Sequence, residues 1–149
     1  MGKEFRLQFD IIPTDKENGW GSVLRMYNQD INGVRPEDPI GARIPAIWMQ
    51  KDYRIHICFD IIQEKPTCSD SYLQPGSFAT VIIQQILKSD GIFGYSILIN
   101  QKEVFKANNS QPQDFDDVKL AIGDRFYEPA KALVKNIKFE SFGRQTHLL

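Results

Sequence analysis

The amino-acid sequence predicts an all-β fold, an antiparallel β-sandwich, from three observations. Two segments alternate apolar and polar residues, which is typical of strands that bury one face. Several other short segments are rich in β-branched and aromatic residues and are separated by turn residues. The chain has 149 residues, the length of one domain, so residues 1–149 are expected to share a single core.

The first half of the chain supplies four predicted strands. In EFRLQFDII, apolar residues occupy every second position from Phe5 to Ile11, and DYRIHICFDII, which starts at Asp52, repeats this alternation. The segments WGSVLRMY and ARIPAIWMQ lie between these two and are also predicted as strands. The polar stretch NQDINGVRPEDPIG and the segment around Cys68 are expected to be loops.

The second half supplies a long strand, a hairpin and a further strand. The isoleucines of SFATVIIQQILK also fit helical spacing, but the flanking Pro75-Gly76 and Asp90-Gly91 and the β-branched cluster favour a strand. FGYSILIN and KEVFKAN are predicted to pair across Asn100-Gln101, and FDDVKLAIGD adds another strand. About eight strands therefore precede the closing segment, as is typical of a sandwich.

The closing segment PAKALVKNIKF fits either a basic helix or a strand. Pro129 suits the first turn of a helix, and helix propensity is locally high, but propensity is often overridden by tertiary context. A strand with one extra residue at Lys135-Asn136 would bury Val134, Ile137 and Phe139 on one face. Because strands precede it, we predict the final strand of the sandwich.

Charge and hydropathy exclude two classes of partner. The chain has 18 Lys and Arg against 19 Asp and Glu, so no excess positive charge would hold it on nucleic acid. No apolar run approaches the about 20 residues that span a bilayer, so membrane insertion is not expected.

The cysteines and a glycosylation motif favour an extracellular location. Cys58 and Cys68, ten positions apart, suit either one local disulfide or two buried thiols. Asn108-Asn109-Ser110 matches the acceptor motif for N-glycosylation, with Asn108 as the acceptor. Neither His56 nor His147 has the spacing that a structural zinc site would need with the two cysteines.

Three elements in the second half carry a resemblance to a known group of proteins. They are a Tyr-x-Ile-x-Ile-Asn strand with its hairpin, a strand that ends near an Asp and an aromatic residue, and the closing strand. The matching residues are Tyr95, Ile97, Ile99, Asn100, Asp124, Phe126, Val134, Asn136, Ile137 and Phe139. This pattern resembles laminin-G-like and concanavalin A-like modules. The resemblance implies an antiparallel jelly-roll β-sandwich of the lectin/glucanase type and a secreted or cell-surface module that recognises a ligand.

Related proteins with sugar sites or hydrolytic activity have motifs that this chain lacks. LRMYNQD and AIWMQ stand where galectins carry their sugar-binding strands, and neither galectin motif is intact. Retaining glycosidases need two carboxylates about 5–5.5 Å apart, which one strand face supplies. The acidic clusters Glu37-Asp38 and 114–117 lie in turn-like segments, where solvated carboxylates are expected. The chain is therefore not expected to be an enzyme or to need a cofactor, although calcium is left open.

The candidate ligand-binding residues are Arg25, Arg43 and Trp48. Each stands in an otherwise apolar predicted strand, and arginine and tryptophan carry much of the energy of interfaces. The alternative is that the arginines extend from a solvated sheet face and that the tryptophan fills the core.

The sequence therefore predicts a non-enzymatic extracellular recognition or adhesion module whose ligand is a protein or a glycan. The first alternative is a lectin with a sugar site unlike that of galectins. The second is a glycoside hydrolase or lyase of the same fold. The third is a domain that associates with itself, so a homo-oligomer is left open.

Overall fold

The computed structural model describes residues 1–29, 39–60 and 67–142. These residues form ten strands and one short 3-10 turn at Lys51–Tyr53. The strands are β1 Glu4–Pro13, β2 Gly21–Tyr27, β3 Ala46–Gln50, β4 Arg54–Phe59, β5 Thr67–Tyr72, β6 Ala79–Leu87, β7 Phe93–Ile99, β8 Lys102–Asn109, β9 Lys119–Ile122 and β10 Ala132–Phe142. In the part of the chain described, no helix is long and apolar enough to cross a membrane.

The strands form two antiparallel five-stranded sheets, which confirms the predicted antiparallel sandwich. The first sheet has the order β10-β1-β6-β7-β8, and the second has the order β5-β4-β3-β2-β9. Each sheet buries one face in a shared core. The ring of Phe59 in the second sheet packs 4.3 Å from Tyr95 and 5.2 Å from Phe105 in the first, so aromatic contacts tie the two layers together.

The alternating segments form the strands that they predict. In β1, Phe5, Leu7, Phe9 and Ile11 are buried, and the residues between them are half-buried on the other face. The long strand β6 alternates in the same way, so the helical reading of this segment is wrong. The hairpin turn also lies where it is predicted, with Asn100 and Gln101 at φ 49° and 68°.

The closing segment is a strand, as predicted, and the helical alternative is wrong. Strand β10 pairs with β1, and between Lys135 and Lys138 it holds one residue more than the opposing stretch of β1. At this bulge Asn136 has φ 54°, and its amide donates a 2.7 Å hydrogen bond to Asp10. This bond, together with one from Thr80, lowers the pKa of the Asp10 carboxyl.

The segment around Cys68 differs from its prediction, because it is strand β5 rather than a loop. Its sequence TCSDSY has no apolar alternation, since it lies at the edge of the second sheet and neither of its faces reaches the core. It pairs with β4 so that Cys58 and Cys68 are directly opposed. The two cysteines form a disulfide, with Cα atoms 4.1 Å apart.

The hydroxyl of Tyr95 gives the first testable prediction. It is fully buried, has no hydrogen-bond partner among the described residues, and burial raises its pKa well above the usual value of 10.0. We expect Tyr95→Phe to stabilise the protein by about 1 kcal/mol near neutral pH, because it removes a buried polar group that lacks a partner.

The same substitution is expected to change the response to alkali. A raised folded-state pKa gives stability that is present below the pKa of the unfolded chain and is lost as the pH rises above about 10. Urea unfolding across this range should therefore give a flatter profile for Tyr95→Phe than for the wild type. Tyr72→Phe is the matched control, because Tyr72 is 72% exposed. Destabilisation by Tyr95→Phe would show that the hydroxyl has a partner.

Candidate ligand-binding face

The outer face of the second sheet carries three rows of side chains. Each row consists of residues that lie opposite one another on neighbouring strands. It is opposite the core because the residues alternating with these, such as Ile47, Ile55 and Ile57, are buried between the sheets. From the strand register, the rows are Ser22, Trp48, His56 and Asp70; Arg25, Ala46, Cys58 and Cys68; and Gln50, Arg54 and Tyr72.

Four rings form an aromatic cluster over the first row, made of Trp20, Trp48, His56 and Tyr127. Trp20 stacks on Tyr127 with centroids 5.9 Å apart and meets the His56 ring edge-on at 5.0 Å. Trp48 lies beneath, about 6 Å from each of the other three rings. Trp48 is 2% exposed whereas Trp20 is 42% exposed, so the cluster has a buried base and an open top.

The carboxylate of Asp124 holds the cluster together. One of its oxygens accepts a 2.9 Å hydrogen bond from the indole N–H of Trp48. The other oxygen accepts hydrogen bonds from the backbone N–H groups of Phe126 and Tyr127, at 2.8 and 3.0 Å. This turn therefore fixes Tyr127 beside Trp48, and Tyr127 in turn supports Trp20.

Polar groups flank the aromatic cluster on the β5 side. The His56 Nδ1 atom lies 2.5 Å from the Asp70 carboxylate, which is also 3.8 Å from the guanidinium of Arg54. The side chains of Arg54 and Asp70 are 38% and 45% exposed. Hydrogen-bond donors and acceptors from these side chains therefore lie next to the exposed ring of Trp20, where a ligand could contact both.

A shallow cleft of about 400 Å³ lies on the other side of the cluster. Its lining includes Arg25, Tyr27 and residues 121–125, so Asp124 belongs to both the cleft and the cluster. The Arg25 guanidinium lies 4.2 Å from the Tyr27 ring centroid, and its Nε–H donates to the Ala42 carbonyl at 3.0 Å. The cleft and the aromatic cluster are thus joined by Asp124, and together we call them the candidate site.

The three predicted binding residues are placed differently from one another. Arg25 lines the cleft and Trp48 forms the base of the aromatic cluster. Arg43 instead pairs with Asp60 at 2.6 Å, with both side chains buried. All three residues are at most 4% exposed, so Trp48 is buried, as in the alternative, whereas neither arginine extends from a solvated face. The ligand-binding role of the three residues stays a prediction.

The other predicted sites have less structural support. Asn108 is exposed at the end of β8 and accepts a hydrogen bond from Lys88, and its glycosylation stays a prediction. Asp114, Asp116 and Asp117 are exposed and do not converge as metal ligands within the described residues. The pair at 37–38 lies outside those residues. Calcium binding therefore stays untested.

Trp20, His56, Asp124 and Tyr127 were not among the predicted site residues. Their signal in the sequence is weak, because they come from three segments that are distant along the chain. The outward phase of His56 was readable from Ile55 and Ile57, which alternate with it in β4, but β3 is apolar on both faces and shows no phase for Trp48. What brings Tyr127 to these rings is the turn around Asp124, whose residues carry no periodic pattern.

Comparison with solved structures identifies the fold. No protein-family model matches the chain, and no curated protein matches it in sequence. An endo-β-1,4-glucuronan lyase from the fungus Trichoderma reesei matches at a TM-score of 0.58 with 12% identity, over 95% of this chain and 69% of the lyase. Sheep galectin-11 matches at 0.52 with 9% identity, over 94% of this chain and 92% of the galectin. This protein is a jelly-roll β-sandwich of the concanavalin A-like type.

A third match shows how widely this sandwich is used. The sialidase of Trypanosoma rangeli matches at a TM-score of 0.60 with 10% identity, over 91% of this chain. The chain spans 20% of the sialidase, so the match concerns a part of that protein. At these identities the similarity shows the fold alone, and the candidate site has to be judged from its own side chains.

Proposed function

We propose that this protein is a non-enzymatic extracellular recognition module of laminin-G or lectin type that binds a glycan on the candidate site. The observation that carries the proposal is the exposed ring of Trp20, held on Tyr127 next to the polar groups of His56, Asp70 and Arg54. A pyranose ring has an apolar C–H face and a rim of hydroxyl groups. An exposed indole beside charged and hydrogen-bonding side chains complements both.

The packing of the aromatic cluster supports this proposal. Trp20 contacts Trp48, His56 and Tyr127, so its ring is already ordered before a ligand arrives. Binding to an ordered ring avoids much of the entropy cost of immobilising a side chain. A small contact area can therefore give useful affinity.

The structural matches and the disulfide add indirect support. The matched structures are a lyase named for glucuronan, a sialidase in complex with difluorosialic acid, and a galectin. Two of these names refer to sugars, which makes a glycan a reasonable ligand class for the present proposal. The Cys58–Cys68 disulfide fits an oxidising compartment, which supports the extracellular location.

Binding of the purified protein to a glycan array tests the proposal. We expect a restricted set of sugars to bind, and we expect Trp20→Ala to weaken binding to them by about tenfold or more, because the stacking surface is lost. The matched control is Phe78→Ala, because Phe78 is 43% exposed, close to Trp20 in exposure, and lies next to the first sheet. Titration calorimetry with the best sugar measures both variants.

Two outcomes would contradict the proposal in different ways. An array without binding, from protein with an intact β-sheet spectrum, would favour a protein ligand. Turnover of a polysaccharide by the wild type, abolished by an Asp→Asn change at Asp114, Asp116 or Asp117, would show that the protein is an enzyme.

A further inference from the structure

The disulfide and His56, which belongs to the neighbouring row, bring a set of metal-binding atoms together. His56 lies two residues before Cys58 on the same face of β4, and its Nε2 atom is 3.0 Å from the Cys58 sulfur. The imidazole nitrogen and the two sulfurs all lie within 4.8 Å of one another. Strand register alone brings them together, because Cys58 is opposed to Cys68 across the β4–β5 pair.

The linear spacing of His56 and the two cysteines did not predict a zinc site, but strand pairing brings their ligand atoms to separations close to those that zinc requires. Zinc binds thiolate sulfur at about 2.3 Å and imidazole nitrogen at about 2.0–2.1 Å in a tetrahedron, which separates its ligand atoms by about 3.6–3.8 Å. Rotation of the side chains on fixed strands would reach these separations once the sulfurs are no longer bonded to each other.

Asp70 orients the imidazole of His56 so that Nε2 can bind a metal ion. Its carboxylate lies 2.5 Å from Nδ1 of His56, so an Nδ1–H donates to it and the Nε2 lone pair points towards Cys58. A carboxylate that orients a histidine in this way is the usual support of a zinc-binding imidazole.

We propose that the reduced form of the protein binds one zinc ion through the thiolates of Cys58 and Cys68 and Nε2 of His56, with water as the fourth ligand. A dithiol reductant supplies the two electrons and two protons that convert the disulfide to two thiols, and the dithiol itself becomes a disulfide. Zinc then displaces both thiol protons to solvent. Cys68 is exposed, so the attacking thiolate can reach its sulfur.

The consequence is that two alternative cross-links, a disulfide and a zinc ion, can join β5 to β4. Under oxidising conditions the disulfide joins the edge strand to the sheet, and under reducing conditions zinc joins the same residues. The zinc site shares His56 and Asp70 with the proposed glycan site. Its test is distinct, because it measures metal binding by the reduced protein rather than glycan binding.

Zinc titration of oxidised and reduced protein tests the proposal. The protein is reduced with dithiothreitol, freed of the reductant without oxygen, and titrated with zinc chloride in competition with a chromophoric chelator. We expect one zinc ion per reduced chain and no binding by the oxidised protein. We also expect a thiolate-to-metal absorption band with cobalt, and a change in tryptophan fluorescence, because Trp20 lies 5.0 Å from His56.

Variants separate this site from nonspecific binding. His56→Ala should weaken zinc binding by about tenfold or more, and Asp70→Asn by about 10–100-fold, because the imidazole loses its orientation. Cys68→Ser should abolish the cobalt band. The control Asp114→Asn should leave zinc affinity unchanged, because this exposed carboxylate lies outside the ligand set.

Three results would overturn the proposal. The first is reduced, folded protein that does not bind zinc. The second is equal zinc affinity in the wild type and His56→Ala. The third is loss of the β-sheet circular dichroism signal on reduction, because the ligand set requires the register of β4 and β5.

Discussion

Arg43→Ala is expected to lower the free energy of unfolding by about 3–5 kcal/mol, because it leaves the carboxylate of Asp60 buried without its 2.6 Å partner. The side chains of this pair are only 5% and 3% exposed, so bulk water solvates neither charge in the folded protein. Urea unfolding of the purified variant measures the change.

Two controls test whether the effect comes from burial of the charge. Lys138→Ala breaks an exposed pair with Glu140 and should cost at most about 1 kcal/mol. The double variant Arg43→Met/Asp60→Leu should recover most of the lost stability, since no unpaired charge then remains. If Arg43→Ala instead kept full stability and weakened ligand binding, Arg43 would belong to the binding site.

Trp48→Ala is expected to cost about 3–5 kcal/mol of stability and also to weaken ligand binding. It removes a large buried ring and the donor that bonds to Asp124 at 2.9 Å. Tyr127 and Trp20 then lose the ring on which they pack, and the binding surface loses its order. Thermal unfolding and glycan titration measure the two effects.

Two further variants, Trp48→Phe and Trp20→Ala, separate the loss of stability from the loss of ligand binding. Trp48→Phe keeps most of the packing but loses the hydrogen bond, so the cost should fall to about 1–3 kcal/mol. Trp20→Ala changes an exposed ring and should reduce binding far more than stability. Unchanged glycan affinity in folded Trp48→Ala would mean that the ligand binds elsewhere.

The fold could be predicted from the sequence wherever a strand buries one complete face. Strand β1 was predicted because its inward residues, from Phe5 to Ile11, are apolar without exception. Strand β5 was missed because an edge strand outside the core needs no apolar phase. Strand β10 was harder to predict than β1, because its inward-facing side chains are only partly covered. Ile137 and Phe139 are 36% and 38% exposed.

The candidate site could be predicted only in part. An arginine and a tryptophan in apolar strands correctly drew attention to Arg25 and Trp48. The groups that bury them were not predictable, because these groups come from elsewhere in the chain: Asp124 lies 76 residues from Trp48. Local patterns report which face of a strand a residue occupies, but not which loop covers that face.

The bulge in β10 affects how neighbouring molecules meet. A regular edge strand offers evenly spaced N–H and C=O groups on which another chain can add a strand and begin to aggregate. In β10 the extra residue at Asn136 interrupts this spacing, and Lys135 and Lys138 place charge on either side of it. The bond from Asn136 to Asp10 fixes the irregularity in place. The edge strand β10 is therefore a poor template for strand pairing between molecules at high protein concentration.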